Sequence, residues 1–155
     1  MGAHIRNIQD IDGFKHIEDL DLRSNELSAI SGLENLTKMF HLNLSDNNIT
    51  EISGLEKLTN LQELDLSHNQ ITKIQGLEKL ANLRELNLSR NQITEIKGLS
   101  NLKNLQTLNL QSNRITEIVG LDNLHELKNL DLQDNPVDPV DPSSAVEVLD
   151  LRKSK

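Results

Sequence analysis

The sequence predicts an α/β repeat solenoid in which near-identical units lay six to seven short strands side by side in one parallel sheet. Short helical or 3₁₀ turns are expected on the opposite side. Three observations carry this expectation. Residues 61–82, LQELDLSHNQITKIQGLEKLAN, are restated with small edits at 39–60 and at 83–104. Asparagine recurs at Asn25, Asn47, Asn69, Asn91, Asn113 and Asn135, each 22 residues after the last, and self-similarity at a period of roughly 20 to 50 residues marks repeat architectures. Inside the units, alternations such as Leu64-Asp65-Leu66 have the period of a half-buried strand.

Taken in order, the chain opens with Ile5, Ile8, Ile11 and Phe14. Adding one period to each reaches Leu27, Ile30, Leu33 and Leu36, so residues 5–16 read as the second half of a repeat whose strand is missing. A half unit at an open end covers the first layer of core, as terminal repeats must. Six strand-bearing units then start at Ile17, Met39, Leu61, Leu83, Leu105 and Leu127 and fill residues 17–148. In the unit from Leu61, the strand is followed by Asn69, by Ile71 and Ile74 pointing inward, and by Gly76-Leu77-Glu78-Lys79-Leu80. The last segment suits a tight turn with Leu77 and Leu80 inward at i, i+3. Gly32, Gly54, Gly76, Gly98 and Gly120 share one place, which calls for positive φ or close backbone approach. The asparagine column has a chemical reason. Where the strand ends, backbone groups lose their sheet partners, and an amide that both donates and accepts can satisfy them in its own unit and the next.

The end of the chain departs from the rule. Pro136, Pro139 and Pro142 enter, while Val137 and Val140 keep the inward register of Ile115 and Ile118, so this stretch reads as core rather than as a proline-rich ligand. Val146-Glu147-Val148-Leu149-Asp150-Leu151 echoes Ile17-Glu18-Asp19-Leu20-Asp21-Leu22. Residues 146–155 therefore read as a seventh strand, with a capping helix begun at Ser144 as the alternative. The whole of residues 1–155 reads as a single domain.

Composition narrows the classes of function. The formal charge of −8 opposes a phosphate-tracking surface, which needs clustered Lys and Arg, so no nucleic-acid partner is expected. Without cysteine there is no disulfide framework and no thiolate metal ligand, and no cofactor or metal is expected. No apolar run has the length of a membrane span, and no signal-peptide core follows Met1. A cytoplasmic chain is the expectation, with the nucleus as the other option. His41 and His68 lie near serines and carboxylates. Those serines belong to columns repeated on an open surface, which does not suit a nucleophilic site, and no enzyme is expected.

Function must then come from exposed strand residues. Glu18, Phe40, Gln62, Arg84, Gln106 and Lys128 form one expected outward column. Asp19, His41, Glu63, Glu85, Thr107 and Asn129 form the next, and Asp21, Asn43, Asp65, Asn87, Asn109 and Asp131 a third. Arg23, Ser45, Ser67, Ser89, Gln111 and Gln133 are expected to complete the outward face. Phe40 is the one large apolar side chain in these columns and suits an interface anchor. Acidic residues in the first strands would steer a basic protein partner. The expected partner site is Phe40, His41, Asn43, Gln62, Glu63, Asp65, Arg84, Glu85 and Asn87. The Asp/Asn column does not converge the oxygens that calcium wants.

The pattern L-x-x-L-x-L-x-x-N-x-I, carried from residue 61 by Leu61, Leu64, Leu66, Asn69 and Ile71, is similar to that of the leucine-rich repeat family. The second half, with Ile74, Gly76, Leu77 and Leu80, resembles the 22-residue subclass typified by the nuclear regulatory subunit of type-1 protein phosphatase. The resemblance spans residues 5–151. It implies a right-handed solenoid bent into a horseshoe arc, a concave parallel sheet, a convex side of short turns, and use as a non-enzymatic protein-binding surface. A phosphatase regulatory or targeting subunit is the narrower alternative; a repeat scaffold without a dedicated partner is the other. Several of those relatives close with a cap containing Tyr and Arg after Asn-Pro-Val. Here Asn135-Pro136-Val137 is present and the Tyr-Arg portion is not. A monomer is expected, with weak self-association through an open strand edge.

Overall fold

The computed structural model describes residues 16–137 and the strand Leu149–Asp150. Six three-residue strands recur at the repeat spacing: β1 (Asp19–Asp21), β2 (His41–Asn43), β3 (Glu63–Asp65), β4 (Glu85–Asn87), β5 (Thr107–Asn109) and β6 (Asn129–Asp131). They pair in sequence order, all parallel, with each residue beside its equivalent in the next unit. The result is a solenoid of about five turns. Backbone bonding runs past the strands proper: Leu44 N–H donates to Asp65 O at 2.8 Å and Asp46 N–H to Ser67 O at 3.0 Å, and later units repeat both bonds.

The core is the column the periodicity predicts. Met39, Leu42, Leu44, Ile49, Ile52, Leu55 and Leu58 of one unit are all within 2% of complete burial, as are their counterparts Leu61, Leu64, Leu66, Ile71, Leu77 and Leu80 in the next. A single hydrophobic cluster runs from Leu22 to Leu132. No unit has an interior of its own, and each buries its leucines against its neighbours.

The convex side differs from the sequence expectation. Among the described residues there is no helix and no 3₁₀ segment. Each unit instead makes two separate i→i+3 bonds, as in Leu58 N–H to Leu55 O at 2.9 Å and Leu61 N–H to Leu58 O at 3.0 Å. A 3₁₀ helix needs consecutive bonds of that type; here they share only Leu58 and leave two isolated turns. The leucine spacing of three is the same for either arrangement, so the sequence pattern could not separate them.

The last strand also needs correction. β7 (Leu149–Asp150) joins the sheet beside β6, so the strand and not the helix reading holds there, but it runs antiparallel, with Leu149 beside Leu130. The repeat register assigns Leu149 the same partner in the opposite direction. An antiparallel neighbour does not have to return to the starting end of the sheet. Prolines 136, 139 and 142 withdraw amide donors from the stretch that makes that return in other units. The half repeat at residues 5–15 and the core positions at Val140, Val146 and Val148 lie outside the described residues.

Candidate functional site

The strands present two polar columns to one face. In β2, Leu42 is buried while His41 is exposed and Asn43 half-buried, and β3 and β4 repeat this alternation. The columns line a concave depression reaching from Asp19 and Asp21 on β1 to Thr107 and Asn109 on β5. Six of the nine predicted site residues meet there: His41, Asn43, Glu63, Asp65, Glu85 and Asn87.

Phe40, Gln62 and Arg84 do not join them. They stand one position before the outward residue of each strand and line a second, adjacent trough with Gln106. Asn60, Asn82 and Asn104 form its other row, and Glu126 completes the lining. Phe40 is half-buried, whereas Met39 beside it is fully buried. The nine residues are thus two neighbouring surfaces. Strand alternation was the signal available for that split, because residues 40 and 41 must face different ways.

Within the depression the inner column is committed to the fold. Asn43 Oδ1 accepts from Ser45 N–H at 2.9 Å and from Ser45 Oγ at 2.7 Å. Asp65 does the same for Ser67, at 2.8 and 2.6 Å, and Asn87 for Ser89, at 3.1 and 2.8 Å. A short side-chain oxygen accepting from the backbone two residues on is an Asx turn, which accounts for a column restricted to Asp and Asn. The same bonds correct the expectation that the serines face outward: Ser45, Ser67 and Ser89 are buried. The following residues, Ser24, Asp46, His68, Arg90, Ser112 and Asp134, all have φ between 53° and 57°. That left-handed step turns the chain out of the strand; Asp46, His68 and Asp134 are of types that favour it, whereas Ser24, Arg90 and Ser112 are not.

The outer column is freer. His41 Nδ1 meets Asp19 Oδ1, and its Nε2 lies 3.5 Å from Glu63 Oε1, so one imidazole joins the carboxylates of the strands on either side. Glu63 and Glu85 are neighbours in the β3–β4 register, and the Glu85 carboxylate makes no hydrogen bond or ion pair among the described residues. Glu95 lines neither depression; Lys97, with Nζ 2.5 Å from Glu95 Oε2, holds its carboxyl below the usual range through a hydrogen bond and its charge. No group of three or more His, Cys, Asp or Glu among the described residues is placed to hold a metal ion, and they form no helix long and apolar enough to cross a membrane.

The family description "Leucine Rich repeats (2 copies)" matches the chain in four overlapping segments, 37–79, 59–101, 81–123 and 103–145. No curated relative matches it. Among solved structures, an internalin (inlF) of Listeria monocytogenes superposes with a TM-score of 0.82 at 30% identity, over 91% of this chain and 42% of its own. A leucine-rich repeat protein of Leptospira interrogans gives 0.79 at 31% identity, over 88% of this chain and 36% of its own. Internalin C2 of Listeria monocytogenes gives 0.70 at 32% identity, over 90% of this chain and 71% of its own. The chain therefore spans less than half the length of the first two.

Proposed function

The chain belongs to the leucine-rich repeat family, whose members are typically protein-interaction modules, and on that premise we propose that it is a non-enzymatic module binding a protein across its concave face. The contact residues of this reading are His41, Asn43, Glu63, Asp65, Glu85 and Asn87. The observation that carries it is the side-by-side placement of Glu63 and Glu85 at the centre of the depression. Like charges directly beside one another on adjacent strands are unfavourable. With His41 already engaged between Asp19 and Glu63, a Lys or Arg side chain from a partner would relieve the pair. The formal charge of −8 adds long-range attraction for a basic surface.

Glu63→Lys combined with Glu85→Lys tests the reading, since both side chains are exposed and neither forms an Asx turn. Affinity capture with the parent chain should recover partners that the double variant loses, and their binding should weaken steeply with added salt. Identical partner sets from the two chains would refute the concave site. A narrower reading, a regulatory or targeting subunit of type-1 protein phosphatase, draws support from the Ile74-Gly76-Leu77-Leu80 pattern alone. Direct binding to purified phosphatase catalytic subunit decides it.

A further inference from the structure

The trough beside the concave face has a chemistry of its own. Asn60, Asn82 and Asn104 each donate through Nδ2 to a carbonyl of the preceding unit: Thr37 O at 2.8 Å, Thr59 O at 2.8 Å and Ala81 O at 2.9 Å. These bonds hold the amide planes and leave three Oδ1 acceptors in a row, with no donor directed to them among the described residues. Two positions on, Gln62, Arg84 and Gln106 form a facing row. Their side chains make no hydrogen bond or ion pair among the described residues. Phe40 lines the same trough, half-buried.

We propose that this trough is a binding groove for a linear β-linked polysaccharide. Its polar groups repeat once per unit, at about 4.8 Å, while an extended peptide presents like groups to one side only every second residue, at about 6.6 Å. A peptide therefore falls out of register within two units. In a β-1,4-linked pyranose chain neighbouring sugars are turned over, so like groups return to one side at every second sugar, after nearly two unit distances, and alternate sugars meet equivalent side chains two units apart. An amide offers donor and acceptor together, as neighbouring hydroxyls require. Arg84 adds donors in the middle of the row. The Phe40 ring supplies an apolar face for the C–H side of a sugar. The inference does not rest on the concave site.

The test is titration of the full ¹⁵N-labelled chain with cellohexaose and with chitohexaose, reading the side-chain amide resonances of Asn60, Asn82, Asn104, Gln62 and Gln106. Saturable shifts confined to these amides are expected with at least one of the two. Gln62→Ala combined with Arg84→Ala should weaken that binding by about tenfold or more, with unchanged thermal unfolding. Glu63→Lys with Glu85→Lys should leave it intact, which separates this groove from the concave site. The proposal is overturned if neither hexasaccharide shifts the amides, or if the Gln62/Arg84 variant binds as the parent does. It is equally overturned if an alternating aspartate–glycine hexapeptide occupies the trough and the sugars do not.

Discussion

Asn91 shows how much one side chain does in this fold. Its Nδ2 donates to Leu66 O at 2.9 Å in the preceding unit and to Leu88 O at 3.1 Å in its own, while Oδ1 accepts from Ile71 N–H at 2.9 Å. All of these bonds are buried, so Asn91→Ala should lower unfolding free energy by about 1–3 kcal/mol in denaturant titration. Asn91→Asp should also destabilise, because it keeps the acceptor and loses the donor. The preceding residue offers the opposite change. Arg90 is held at φ 54°, where a Cβ costs about 1–2 kcal/mol, so Arg90→Gly should raise stability by up to about 1 kcal/mol despite glycine's greater entropy when unfolded. Lys97→Ala should return the Glu95 carboxyl to its ordinary titration range, visible by carboxyl NMR. Since the folded pKa is the lower one, the pair supports the fold at neutral pH and loses that support as the pH falls through the carboxylate range. The effect on stability is slight at so exposed a position.

At the level of the element, the turn glycines are the least replaceable feature. Gly76 has φ 71°, and a Cβ there would run into the Ile52 carbonyl oxygen of the unit before; at Gly54 the equivalent atom would stand 2.7 Å from Ile30 O. The clash is with backbone, which cannot swing aside. Gly76→Ala should therefore cost about 2–5 kcal/mol by thermal or denaturant unfolding, more than Asn91→Ala. The position of these glycines, the strands, the asparagine ladder and the inward leucines were legible in the sequence because each recurs with a period that only one geometry satisfies. The buried serines were not, because Ser45 looks like any polar strand residue until its bond to Asn43 is seen. The left-handed step was hidden because its column mixes types: Asp46 and His68 favour positive φ, while Arg90 and the serines do not. The convex turns were ambiguous, since spacing by three serves a helix and a turn alike. Of the predicted site, the columns were legible. The division between His41 on the concave face and Phe40 in the trough was not drawn.

For the whole molecule, stability is distributed along a stack, with each unit bonded to the next through its strand, its asparagine and a convex bond such as Gln70 N–H to Ile49 O at 2.9 Å. Deleting residues 83–104 removes one full unit and should leave a cooperative, shorter fold with a lower melting temperature, because 61–82 and 105–126 present matching faces. Loss of cooperative unfolding in that variant would show that the interior units are not interchangeable. β7 gives the stack a direction. Every step from β1 to β6 repeats one rigid operation, and the reversed strand beside β6 is where that operation stops. A unit related to its neighbour by that step finds its matching strand edge on β1 to β6 and not on β7, so head-to-tail stacking of identical units is interrupted there. Lengthened variants should accordingly accept new units only upstream of β6.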